Sequence, residues 1–91
     1  MPKIVKLGDL LLFFWIGEDG EPVHVHVAKG KPTPNATKIW LTRSGGCLLA
    51  NNESKLSKHE LSIVLEYVTL NHSDICRLWM DAFHGDIAFY K

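Results

Sequence analysis

The sequence predicts an α+β domain: an antiparallel sheet of four or five strands over residues 3–50, then two helices near 58–70 and 73–84 on one face of the sheet. Three observations carry this. Short apolar segments in the first half are separated by glycine-rich turn clusters. One of them, Val23-His24-Val25-His26-Val27, alternates with a period of two. The second half has two apolar stripes at helical spacing, the first introduced by a capping box.

Lys3-Ile4-Val5-Lys6-Leu7 reads as a first strand, ended by the turn dipeptide Gly8-Asp9. Leu10–Ile16 is apolar without alternation, as expected of a strand buried on both faces. Gly17-Glu18-Asp19-Gly20-Glu21 is a hairpin connection into the histidine strand. There the β-branched valines fit an inward face, and both imidazoles point the other way, about 7 Å apart on an exposed face. Lys29–Asn35, with two prolines and one glycine, is a surface loop. Ala36–Leu41 alternates again, with Ile39 and Leu41 on one face and Lys38 and Trp40 on the other. Antiparallel pairing with both apolar faces inward puts Lys38 and Trp40 on the histidine face. Arg43–Gly46 is a turn, Cys47–Ala50 a short strand and Asn51–Ser54 a loop.

Ser57-Lys58-His59-Glu60 is the capping box, followed by the stripe Leu61, Val64, Leu65 and Val68. Asn71 or Ser73 caps a second helix, whose stripe is Ile75, Leu78, Trp79, Ala82 and Phe83. His84 suits the negative end of its dipole, and Gly85 an αL cap. The tail Asp86–Lys91 has enough β-propensity to add a strand. Two short helices cover only one side of a sheet, so either this tail folds over the remainder or a second chain does, and a homo-oligomer is one expectation.

With 91 residues the chain makes one domain, spanning 1–91, and 46% hydrophobic residues supply a modest core. Basic and acidic residues balance at ten each, so no global field draws in nucleic acid. The distribution is uneven, however. No acid lies between Glu21 and Glu53, where Lys29, Lys31, Lys38 and Arg43 concentrate positive charge, so a local anionic partner site is expected. Cys47 and Cys76 match no metal or redox spacing and read as reduced thiols of a cytoplasmic protein. The Leu10–Ile16 run is too short to span a membrane, lacks a cleavage site and is preceded by Asp9, so no membrane association is expected and the three glycosylation sequons are incidental. Repeats, a phosphate-binding loop, a dinucleotide turn and a nucleophile motif are all absent from the sequence.

Taken in order, Pro22-Val23-His24-Val25-His26-Val27, Lys38-Ile39-Trp40-Leu41, and Trp79 with Phe83 four residues later resemble the domain of unknown function 4160 family. The resemblance covers nearly the whole chain. Val23 departs from a usual second proline and Thr42 from a common acid, and Asp86–Lys91 extends the end. The resemblance implies a small prokaryotic protein, often encoded beside another small protein in what look like toxin–antitoxin-like pairs. It implies no catalytic residues.

Two function classes follow. In the first, His24, His26, Lys38, Trp40 and Arg43 form a basic binding face for a cognate small protein or for RNA, with no cofactor. In the second, His24 and His26 serve a small ribonuclease or a metal-dependent hydrolase. The i, i+2 pair suits a divalent metal, but zinc or iron needs a third ligand and none is close in sequence. Metal ligation and acid–base chemistry are each a weaker reading than imidazoles that are merely solvated or hydrogen-bonded.

Overall fold

The computed structural model describes residues 3–15, 17, 20–85 and 87–91. Five strands, β1 (Lys3–Leu7), β2 (Leu10–Phe13), β3 (His24–Lys29), β4 (Thr37–Leu41) and β5 (Cys47–Asn51), precede α1 (Lys58–Leu70) and α2 (His72–Ala82). The strands follow one another in space as they do in sequence, all antiparallel, with β3 at the centre. This is the predicted α+β architecture. Ile16, at the end of the predicted apolar strand, Glu18 and Asp19 of the predicted hairpin turn, and Asp86 of the tail lie outside the described residues.

The period-two pattern sets the register. Val25 pairs with Ile39 and Val27 with Thr37, while His24 pairs with Trp40 and His26 with Lys38. Val23, Val25, Val27, Ile39 and Leu41 are all buried in the main core, together with Leu10, Leu12 and Phe14. Leu11, Phe13, Ala28 and Ala36, with Trp15 against them, form a second small cluster. The apolar run is therefore buried on both faces of the sheet, as its lack of alternation predicts.

The capping box is present in full: the Glu60 backbone N–H donates to Ser57 Oγ at 3.1 Å, and the Ser57 N–H to Glu60 Oε1 at 2.9 Å. The Ser57 N–H bond to this carboxylate, the largest cause, and Lys29, 3.1 Å from it, hold Glu60 below the usual carboxylate range. Replacing Ser57 with alanine is expected to cost about 1 kcal/mol, read as a lowered midpoint in urea with an unchanged slope. A variant as stable as the parent would show that α1 is held by packing alone.

α1 runs over 58–70 as predicted and lies against β4 and β5, burying Val64 and Val68. α2 begins at His72 and ends at Ala82, earlier than predicted, and its N-cap Asn71 makes no side-chain capping bond. Its buried residues are Ile75, Cys76 and Trp79, whereas Leu78 is 44% exposed. The reason is angular. At 100° per residue the stripe centres between Ile75, Trp79 and Cys76, and Leu78 falls more than a quarter turn away. The helix closes with His84 in the left-handed region (φ 64) and the Gly85 N–H on the Met80 carbonyl at 2.7 Å. That is the long bond of a Schellman motif, so His84 rather than Gly85 takes the αL position.

A polar lock joins the loop before α1 to the sheet. Ser54 Oγ donates to the Val27 carbonyl at 2.8 Å, and Thr37 Oγ1 donates to Asn52 Oδ1 at 2.8 Å. Asn52 in turn accepts from the Leu56 N–H and donates to the Leu56 carbonyl, both at 2.9 Å. Buried Thr37 thereby has its hydroxyl satisfied, which a core position demands.

Candidate functional site

Strand alternation does bring His24, His26, Lys38 and Trp40 to one face of the β3–β4 pair, as predicted. It does not leave them wet. His24 is 0% and His26 8% exposed, and Trp40 and Lys38 are half-buried. The expectation of exposed imidazoles is therefore corrected, although the register on which it rested is right.

What covers them is a run of rings. His26 stacks on Phe13 at 5.7 Å between centroids and meets the edge of Trp15 at 6.4 Å. The two imidazoles stand perpendicular, 4.9 Å apart, and His24 is 5.4 Å from Trp40 and 5.2 Å from Trp79. Trp40 in turn stacks face to face with Tyr90 at 4.9 Å. Trp79 also packs edge-on against Phe14 at 5.3 Å and touches Phe83 at 4.3 Å. It thus closes the end of the sheet where the chain leaves β2 and enters β3. The His24 Nδ1–H donates to the Pro22 carbonyl at 2.8 Å, which fixes both the ring plane and the tautomer.

Lys38 lies in the same assembly. Its ammonium donates to Glu21 Oε1 at 2.8 Å and sits 4.2 Å from the centre of the Trp40 ring. The Lys38 hydrogen bond is the main reason Glu21 is held below the usual carboxylate range, and its charge adds to the effect. A depressed folded-state value means that the pair stabilises the fold above the ordinary glutamate range and ceases to do so as pH falls through the folded value. Glu21→Gln is therefore expected to lower stability modestly at pH 7, the pair being half-exposed and screened, and to flatten the acid limb below about pH 4.5, so that the two curves converge in acid. Urea midpoints of the two proteins between pH 3 and pH 7 check this; parallel curves would contradict it.

The basic middle is also partly neutralised. Lys29 reaches Glu60 and Lys38 reaches Glu21, acids that lie outside the acid-free stretch in sequence. Lys31 and Arg43 enter no ion pair among the described residues. Arg43 does not join the imidazoles. It stands in the β4–β5 turn, exposed, with its guanidinium carbon 5.6 Å from the centre of the Phe89 ring. There Thr42, Arg43, Ser44, Gly46, Cys47, Leu48 and Lys91 line an open cleft of about 600 Å³.

Sequence reasoning did not foresee the contacts of His72 or the detailed course of the tail. His72 Nε2–H donates to the Thr42 carbonyl at 2.6 Å, and its ring stacks parallel to Phe89 at 6.2 Å. The tail runs back along the sheet end, where its Ala88 carbonyl accepts from the Val23 N–H and its Lys91 carbonyl from the Arg43 N–H, both at 2.8 Å. The β-propensity of Ile87-Ala88-Phe89-Tyr90 was the available signal, since such residues suit an extended segment.

Cys47 and Cys76 are free thiols, and burial pushes the Cys76 thiol up. Among the described residues, no group of three or more His, Cys, Asp or Glu side chains stands close enough to hold a metal ion. No helix among them is long and apolar enough to cross a membrane.

A family model described as Domain of unknown function (DUF4160) matches residues 10–80. That span runs from the first residue of β2 into α2 and includes both histidines, Lys38, Trp40 and Trp79. No curated protein and no solved structure matches the chain. On the family match, the chain belongs to the DUF4160 family.

Proposed function

We propose that this member of the DUF4160 family is a protein-binding module, the partner being a cognate small protein in a toxin–antitoxin-like pair. The observation that carries the reading is the enclosure of the imidazoles. With His24 fully buried and His26 nearly so, neither ring meets a substrate from solution, and the pair serves as scaffold. Lys38 is likewise committed to Glu21 and Trp40. Of the basic binding face expected from sequence, Arg43 keeps an open side, and it borders the cleft.

The neighbouring surface supports a protein partner over a polyanion. Leu48 and Leu49 on β5 are exposed, and β5 is a sheet edge with no charged residue in Cys47–Asn51. The opposite edge, β1, carries exposed Lys3 and Lys6, the usual device against strand-to-strand association. An uncharged edge with apolar side chains beside one free arginine fits an apolar protein surface bearing a carboxylate.

The test is purification of the native chain at low salt, with and without nuclease, followed by identification of whatever remains bound. A single small protein held at fixed stoichiometry after nuclease is expected. Arg43→Glu should weaken its retention about tenfold and shift stability by no more than about 0.5 kcal/mol, since the site is exposed. Release of the bound material by nuclease, or full retention by the variant, would sink the proposal.

A further inference from the structure

The segment Ile87–Lys91 is held in a manner that describes a site. It takes no part in the sheet ladders, yet its Ala88 and Lys91 carbonyls accept from the Val23 and Arg43 N–H groups at 2.8 Å. Its two adjacent aromatic side chains each lie on a flat ring: Tyr90 on Trp40 at 4.9 Å and 9° between planes, Phe89 on His72 at 6.2 Å and 5°. Arg43 covers the other ring contact of Phe89. The platform itself is fixed independently, because Trp40 is braced by His24 and by Lys38, and His72 by the Thr42 carbonyl. Trp40, Arg43 and His72 lie inside the span matched by the family, whereas the segment that occupies them lies beyond it.

We infer that the groove beneath residues 87–91 is a peptide-docking groove. The occupant it fits from outside is an extended segment of a protein partner carrying two adjacent aromatic residues, and the chain's own residues 87–91 compete with it. The recognition is that of an extended peptide in general: main-chain bonds give affinity and alternate side chains give specificity. Two donors at the groove ends, two ring platforms between them and a guanidinium above one ring define that chemistry. The chain reverses at His84 and Gly85, both at positive φ, and this turn delivers the segment to the groove. Tethered this way, the segment competes at an effective concentration on the order of millimolar. An outside segment then binds in proportion to the fraction of chains whose groove is open. The protein-binding reading above supplies the source of that segment; the groove stands without it.

The experiment uses the full chain and a full-length double variant, Phe89→Ala with Tyr90→Ala, and a fluorescein-labelled synthetic copy of residues 87–91 as probe. The double variant is expected to bind the probe, with the intact chain at least about tenfold weaker, which corresponds to a groove filled roughly 90% of the time. A probe with both aromatics replaced by alanine should not bind either protein. A folded double variant that ignores the probe, or equal binding by both proteins, overturns the inference. If the double variant fails to fold, amide exchange in the intact chain decides. Val23 and Arg43 should exchange together and faster than Val27 at the sheet centre; exchange of all three at the rate of Val27 would mean that the groove opens only on global unfolding, and overturns the inference. A dimer of the intact chain in light scattering that the double variant loses would assign the groove to a second copy instead of a partner, and overturn the choice of occupant. Binding of the probe together with failure of the Arg43→Glu test would leave the groove established and the proposed function refuted.

Discussion

Trp79→Ala is expected to lower stability by about 3–5 kcal/mol, the range for removing a large aromatic from a packed core. Domains of this size have about 5–15 kcal/mol in total, so the variant should sit close to unfolding. At about 4–8 °C per kcal/mol, its thermal midpoint falls by roughly 12–40 °C. The size of the effect comes from position. The indole is 1% exposed and touches Phe14, Phe83 and His24, so its loss opens the end of the sheet to water. Trp79→Phe keeps a ring against all three and should cost much less. Differential scanning calorimetry on the three proteins checks this, and an alanine variant that melts within a few degrees of the parent would refute the packing described.

His24→Asn carries the second large effect. Were the imidazole solvated, the change would shift stability by no more than about 0.5 kcal/mol. Buried among Trp40, Trp79 and His26, the ring contributes aromatic contacts worth about 0.5–1.5 kcal/mol each beyond their burial. Asparagine can still donate to the Pro22 carbonyl but fills less of the space. A loss of about 2 kcal/mol is expected, visible as a lower urea midpoint and as a change in tryptophan fluorescence. Partner retention should survive in the fraction that remains folded, because the imidazole is scaffold in the proposed function. A variant of unchanged stability that loses its partner would return His24 to the binding face and overturn that assignment.

The same two residues divide what was legible in the sequence from what was not. The alternation of valine with histidine determined the register of β3, because a one-residue slip would turn the imidazoles into the core beneath the helices and the valines to the opposite face. The observed pairs Val25–Ile39 and His24–Trp40 keep apolar residues on one face and the imidazoles with Trp40 on the other, as the alternation implied. Ser57 and Glu60 determined where α1 begins, since capping is decided within four residues. The unbroken apolar run determined that β2 is buried on both sides. Each of these signals is local, and local geometry suffices to read it.

Only the tertiary structure decided the fate of the histidine face. Alternation says which side of a strand a side chain takes, but not what lies on that side. Phe13 and Trp15 from the β2 segment cover His26, but the cover of His24 and Trp40 comes from Trp79 on α2 and Tyr90 in the tail, both far downstream of β3, and no periodicity within the strand records their arrival. Charge behaved in the same way. Lys38 and Lys29 looked like members of a basic patch until folding set Glu21 and Glu60 against them. Arg43 alone of the expected site residues is exposed, because the β4–β5 turn holds it at the margin of the rings, with Phe89 against it. Faces and spans follow from steric periods along the chain, whereas exposure and net local charge depend on segments that meet only when the chain is folded.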